Sequence, residues 1–340
     1  MSANPNSQPS NDQIPADLVK KLSDAEALGE TRSIGQQLLS SCFRFLRRLL
    51  IVAVVVYLLM FACLALFENR LLYHGAKFTA DNWKPDQQGF TEAEFEAADG
   101  TKLVGWYLPF QGEGDGTDDA TNSMRPRTIL HCHGNAENIA QVGAVTSKQF
   151  SRVLQANVFS FDYRGFGKSE GSPHEAGLQQ DADAALAWIC ERDKVKPADV
   201  IIVGHSVGGG VACYLAQKHG CKALILQRTF SSLPDAAASK YWMFPVRLVM
   251  QNQMNSVEAI KHCDVPLFQS HGSADTLIPI DLGRKLFDSS PSASKKFLEV
   301  PDMNHAQPLP GYYWGELKTF FERVDPRKPE TAVTPVSRSH

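Results

Sequence analysis

The chain has 340 residues, of which 43% are hydrophobic and 21% charged, with a net charge of −3 at pH 7. That balance is ordinary for a globular fold with a sizeable core, and it gives no electrostatic ground for a nucleic acid or an acidic ligand. Seven cysteines are scattered at 42, 63, 132, 190, 213, 221 and 263; without a CxxC pair they argue against a zinc ribbon, and their odd number against a complete disulfide framework.

In chain order, residues 1–16 are rich in Ser, Asn, Gln and Pro and read as disordered. Residues 18–46 have a helical composition, so 1–48 reads as an N-terminal tail, partly disordered. From 49 to 67 runs LLIVAVVVYLLMFACLALF, 19 residues without a charge. As a helix it would cover roughly 28 Å, close to the ~30 Å hydrocarbon core of a bilayer. A buried core helix would carry a polar stripe, and this run has none, so a transmembrane helix is expected. A cleavable signal peptide does not fit, because 48 residues precede the run and no small-x-small site follows. Met60-Phe61-Ala62-Cys63 resembles a lipoprotein processing box only loosely. Arg44, Arg47 and Arg48 crowd the N-terminal flank against Arg70 just beyond, and a wider window adds Lys77 and Lys84. The bias puts the N-terminus inside and the large C-terminal part outside.

Beyond the span, short apolar β-branched runs alternate with segments of helical period. Strands are expected over 93–97, 103–109, 127–131, 158–161, 200–203, 223–226, 266–270 and 296–300. Helices are expected over 138–154, 176–190, 208–219, 282–287 and 314–323. Asp99-Gly100 joins the first two strands as a hairpin. The later alternation predicts an α/β fold, a mostly parallel eight-stranded sheet with helices on both faces. Such sheets bind ligands at the carboxyl ends of their strands. Residues 325–340 read as a solvated, disordered tail, which leaves 69–324 as the folded domain.

Val200-Ile201-Ile202-Val203-Gly204-His205-Ser206-Val207-Gly208 reads as a strand, then GxSxG, then a helix. A serine on so tight a turn needs glycine two residues to either side, and the turn aims its hydroxyl outward beside a helix N-terminus. Ser206 is therefore the candidate nucleophile. It needs a base, and the base needs an orienting acid, in the chain order Ser, acid, His. Asp275, between a strand end and a Pro-initiated helix, is the candidate acid, with a helix cap as its plain alternative. His305, in the loop after the last strand, is the candidate base. His271 reads as structural.

The stretch His131-Cys132-His133-Gly134-Asn135 could suggest a metal, but HxHxDH metallo-hydrolases need Asp and His where Asn135 and Ala136 stand. It reads instead as an oxyanion loop. Gly134 allows the turn, the backbone N–H groups of Asn135 and Val207 form the hole, and His133 braces the loop. Gly204, His205 and Gly208 support the nucleophile. No metal and no cofactor are expected. Gly167-Lys168-Ser169 is not a phosphate-binding loop, since Asp162 stands where glycine is required; it reads as a turn bracing the active-site floor. Gly208-Gly209-Gly210 fits no GxGxxG register.

Taken together, His133-Gly134-Asn135-Ala136, Phe161-Asp162-Tyr163-Arg164-Gly165-Phe166-Gly167-Lys168-Ser169, Gly204-His205-Ser206-Val207-Gly208, His271-Gly272-Ser273-Ala274-Asp275 and His305 resemble the α/β-hydrolase superfamily, specifically its single-pass, membrane-anchored serine hydrolases. The resemblance covers about 69–324 and implies esterase, thioesterase or peptidase-like activity on the triad Ser206, Asp275 and His305. Two departures stand out. Gln227-Arg228-Thr229-Phe230 occupies a place where relatives often carry an acid, and Asn304 replaces the usual glycine before the histidine.

Residues 230–262 stand where such folds insert a lid, here a short one. Phe230, Trp242, Met243 and Phe244 are candidates for an acyl pocket beside the membrane, against a helix that packs its apolar face on the core. The leading expectation is a membrane-anchored serine hydrolase cleaving carboxylic esters or thioesters of small-molecule or lipid-derived acyl groups. A peptidase on the same triad and a non-catalytic membrane-anchored binding protein are the alternatives.

Overall fold

In the computed structural model the described residues are 15–75, 83–112 and 125–326. The disordered stretch expected at the N-terminus and the solvated tail at the C-terminus fall almost wholly outside them. The chain divides into two compact units, residues 1–64 and 65–340.

The first unit is a single helix, α1, Ala16–Leu66, whose last two residues belong to the second unit. No proline interrupts it. Its part Gln36–Leu66 is the one helix among the described residues long and apolar enough to cross a membrane.

The second unit begins with the short helix α2, Glu68–Leu72. Strands β1, Thr91–Glu96, and β2, Lys102–Leu108, pair antiparallel. Their turn suits its residues: Gly100 takes φ 81° and Asp99 Oδ1 accepts from the Thr101 N–H and hydroxyl. Then follow β3, Arg127–Cys132; α3, Ala144–Leu154; β4, Ala156–Asp162; α4, Glu175–Asp193; β5, Val200–His205; α5, Val207–His219; and β6, Ala223–Gln227. Two short helices come next, α6, Leu233–Lys240, and α7, Ser256–Ile260. The chain ends with β7, Leu267–Gly272; α8, Ile280–Ser289; β8, Lys295–Val300; and α9, Gly311–Val324. The sheet order is β1-β2-β4-β3-β5-β6-β7-β8, antiparallel at its first two pairings and parallel from β4 onward.

The continuous apolar runs of β3, β5 and β6 belong to strands covered on both faces. Successive residues serve opposite cores, as strand geometry requires. Leu130, Ile202 and Leu224 pack with Leu178 of α4 and Val211 of α5. Ile129, Ile201 and Ile225 pack with Phe150 of α3 and Phe320 of α9.

One expectation needs correction, and one segment gains detail. The helix expected over 138–154 opens with a wide π-type turn, Ile139–Gly143, capped by Asn138 Oδ1, which accepts from the N–H groups of Ala140 and Gln141. The segment 230–262 holds α6 and α7, each started by a side-chain cap, Ser232 and Asn255. Both are too short to show a helical period.

The turn after β4 carries Gly167-Lys168-Ser169 and is structural. Ser169 Oγ donates to Asp162 O at 2.7 Å and accepts from Val104 N–H at 3.0 Å. Arg164 locks this turn to α4 and to the hairpin, with Nη2 2.7 Å from Asp181 Oδ1 and Nη1 2.8 Å from Asp99 Oδ2. Asp181 is fully buried, so removing the cation leaves a carboxylate stranded. Arg164→Ala is expected to cost about 3–5 kcal/mol of stability, read as a lowered Tm of the detergent-solubilised chain. Arg164→Ala with Asp181→Ala should cost less than the sum of the two single changes.

Candidate active site

Ser206 stands between β5 and α5 with φ 54° and ψ −120°, a conformation that strains a residue bearing Cβ. The surroundings hold it there. Ser206 N–H donates to Gln227 O at 2.9 Å, and Ser206 O accepts from Thr229 Oγ1 at 2.8 Å. A Cβ on Gly204 would lie 2.5 Å from Gly208 O, and one on Gly208 would lie 2.1 Å from Cys132 O. Only glycine fits where the turn presses against itself and against β3.

Three sequence-distant loops meet at this serine. His305 Nε2 lies 3.0 Å from Ser206 Oγ, and His305 Nδ1 lies 2.7 Å from Asp275 Oδ2. With Nδ1–H donating to the carboxylate, Nε2 is free to accept from the serine hydroxyl. Asp275 does not cap α8, whose first turn starts after Pro279. Instead its Oδ1 accepts from the N–H groups of Leu277 and Ile278, each at 2.9 Å. Burial alone would raise the Asp275 pKa, but hydrogen bonds from His271, His305 and the Ile278 backbone outweigh it and hold the carboxyl below its usual range. His271 keeps the acid loop in shape, its Nε2 2.8 Å from Ile278 O and 3.4 Å from Asp275 Oδ2.

Neither the Asn135 nor the Val207 N–H meets a hydrogen-bond acceptor among the described residues. Beside them, His133 is fully buried, with Nδ1 2.7 Å from Gly134 O and Nε2 3.3 Å from Asp162 Oδ1. Burial lowers its pKa, but the Asp162 carboxyl raises it more. His131, the other histidine of that stretch, has separate company: Nδ1 is 3.0 Å from Ser160 Oγ, and burial pushes its pKa down to about 3. No group of three or more His, Cys, Asp or Glu side chains among the described residues could hold a metal ion.

Three features of the site were not read from the sequence. Glu137 accepts from Gly134 N–H at 3.3 Å and lies 3.1 Å from His205 Nδ1, so one carboxylate ties the Asn135 turn to the Ser206 turn. Arg228, buried at φ 47°, donates through Nη1 to Gln307 O at 2.5 Å and secures the His305 loop. Asn135 fastens the segment after α2, since its Oδ1 accepts from His74 N–H at 3.0 Å and its Nδ2 donates to Leu72 O. In the sequence these features leave only a charged residue two positions after Asn135 and the departure at Arg228.

Above Ser206 and His305 opens a cleft of about 390 Å³. Leu71, Leu72, Phe230, Leu233, Tyr241 and Leu277 supply much of its apolar wall. Of the expected pocket residues, Phe230 lines this cleft, whereas Trp242, Met243 and Phe244 do not. The reason is α6: its residues Leu233, Ala236, Ala237 and Lys240 form the wall, and the chain then turns away, leaving Trp242 79% exposed.

Burial would raise the Glu137 pKa, but His205 and the other nearby histidines draw it below the usual 4.5. A carboxylate depressed by folding adds stability above its unfolded pKa, and that stability is lost as the pH falls through the folded value. Glu137→Gln is therefore expected to lower stability by about 1–3 kcal/mol at neutral pH. Its deficit against wild type should shrink below about pH 4.5 in a series of thermal melts.

A family model described as alpha/beta hydrolase fold matches residues 127–257. The protein YfhR of Escherichia coli O157:H7 is 35% identical over 228 residues, covering 65% of this chain and 75% of YfhR. An uncharacterized membrane protein of Saccharomyces cerevisiae is 29% identical over 269 residues, covering 75% of this chain and 88% of its own. Among solved structures, the esterase Pf2001 of Pyrococcus furiosus superposes with a TM-score of 0.57 at 18% identity, covering 73% of this chain and 98% of that one.

Proposed function

Because the chain belongs to the alpha/beta hydrolase family, we propose that it is a membrane-anchored serine hydrolase of carboxylic esters or thioesters, working through an acyl-enzyme. One observation carries the reading: Ser206 Oγ, His305 and Asp275 are linked at 3.0 and 2.7 Å, with Ser206 and His305 lining an apolar cleft.

His305 Nε2 takes the hydroxyl proton as Ser206 Oγ attacks the acyl carbon, and Asp275 stabilises the imidazolium through Nδ1–H. Negative charge gathers on the carbonyl oxygen, which the N–H groups of Asn135 and Val207 receive; each such donor is worth about 3–4 kcal/mol at the barrier. The imidazolium passes its proton to the departing alcohol or thiol. Water then repeats the sequence on the acyl-enzyme and frees the acid.

The cleft favours an acyl group over a peptide terminus. Its one carboxylate, Glu137, is occupied by His205 and the Gly134 N–H and cannot anchor an amine. Arg44, Arg47 and Arg48 ahead of the span orient the N-terminus to the cytoplasm and the hydrolase domain to the far side.

The test uses the full chain in detergent and p-nitrophenyl esters from acetate to palmitate. Ser206→Ala should cut kcat by about 10⁶-fold and abolish labelling by a fluorophosphonate probe. Asp275→Asn should cost about 10⁴-fold, through loss of the correct His305 tautomer. Equal turnover in wild type and Ser206→Ala, or no labelling of the wild type, would sink the reading.

A further inference from the structure

Directly after Tyr241 of the cleft wall, the folded domain carries bulky apolar side chains on its outside. Trp242 is 79% exposed and Leu248 83% exposed, although both sit in a well-anchored segment. Val246 between them is buried, and the turns Phe244 N–H to Tyr241 O and Leu248 N–H to Pro245 O fix the backbone at 2.9 and 3.0 Å. Exposed bulky side chains on a held loop point to something that covers them.

The same face continues onto the start of the domain. Glu68 accepts from the N–H groups of Gln251 and Asn252 and from the Asn252 amide, with contacts from 2.8 to 3.1 Å. That carboxylate sews the segment after the apolar span to the end of the 241–250 loop. Leu71, just after α2's start, is 41% exposed and lines the cleft. Leu71, Tyr241 and Leu277 are each both exposed and part of the cleft wall. Exposed Arg70 and Lys240 stand among them.

We propose that this face is a lipid-docking surface, and that the cleft opens into the bilayer holding the span, so that an acyl chain enters from the membrane. The substrate class is then a membrane-dissolved long-chain ester or thioester, which rests on the serine-hydrolase reading above. Continuity in sequence with the span argues for lipid as the occupant. So does the mixture on the rim, a tryptophan, a tyrosine and aliphatic side chains interleaved with cations, which is the composition favoured at the interface between headgroups and hydrocarbon. The acyl chain slides past Leu71 and Leu277 and lies along Phe230 and Leu233, with its carbonyl at Ser206.

The experiment reconstitutes the full chain in phosphatidylcholine vesicles with and without brominated acyl chains, which quench tryptophan within the bilayer. The sequence has five tryptophans, of which Trp83 and Trp106 are buried. Bromolipid should quench a component of the emission that Trp242→Phe removes; equal quenching in both proteins overturns the proposal. In parallel, Trp242→Glu with Leu248→Glu should lower kcat/KM for a bilayer-dissolved palmitate ester about tenfold while leaving p-nitrophenyl acetate unchanged. An equal fall on both esters, or on neither, also overturns it. Cross-linking of Leu248→Cys between copies, with no bromolipid quenching, would assign the face to self-association instead. Should the serine-hydrolase reading itself fail, neither ester is turned over, and quenching still decides the docking.

Discussion

The site depends on one close approach of backbone to backbone. Gly208 lets the start of α5 press on the carbonyl of Cys132 at the end of β3, leaving no room for a Cβ. This contact brings the N–H of Val207 beside the loop that carries Asn135, and it forces Ser206 into a left-handed conformation at φ 54°. A looser turn would relax the serine but separate the two donors. In the proposed mechanism, backbone strain at Ser206 and the placing of the two N–H donors are therefore the same constraint seen from two sides.

Charge is arranged to keep that geometry. Glu137 receives the Gly134 N–H and the His205 ring, so its carboxylate sits between the two loops that must stay in register. Burial, with Arg228 and His305 nearby, lowers the His205 pKa against the opposing pull of Glu137. That ring stacks on His305 with centroids 5.7 Å apart; a cation there would oppose the imidazolium that the proposed mechanism forms on His305. Arg228 does the equivalent service from the other side, holding the loop after β8 through Gln307 O. The turns carrying Ser206 and His305 are thus supported by polar contacts from β5, from the residue after β6 and from the loop after β3.

The parallel core and the three groups at Ser206, Asp275 and His305 were legible because each leaves a local mark. Buried strands show as apolar runs, and a serine on a strand-to-helix turn demands glycine at fixed distances. What was not legible is set by partners far away in the chain. Glu137 looks like any charged loop residue until His205 is beside it. Arg228 reads as a departure from a family pattern, while its use depends on a carbonyl 79 residues on. Trp242, Met243 and Phe244 were natural pocket candidates from composition alone. Four residues of α6 decide otherwise by filling the wall first.

The same distance problem hides the origin of the cleft. Part of its wall is built by Leu71, Leu72, Tyr73 and His74, which follow the apolar span and belong to no motif. They are held by side chains from three places: Asn135 grips Leu72 and His74, Asn252 Oδ1 accepts from Tyr73 Oη at 3.0 Å, and Glu68 grips Asn252 in turn. Asn135 is also the residue whose N–H faces the developing oxyanion in the proposed mechanism. Tension or displacement in the segment leaving the span would therefore reach the oxyanion pocket through a single side chain. Residues just after the apolar stretch thus contribute directly to the cleft wall beside Ser206.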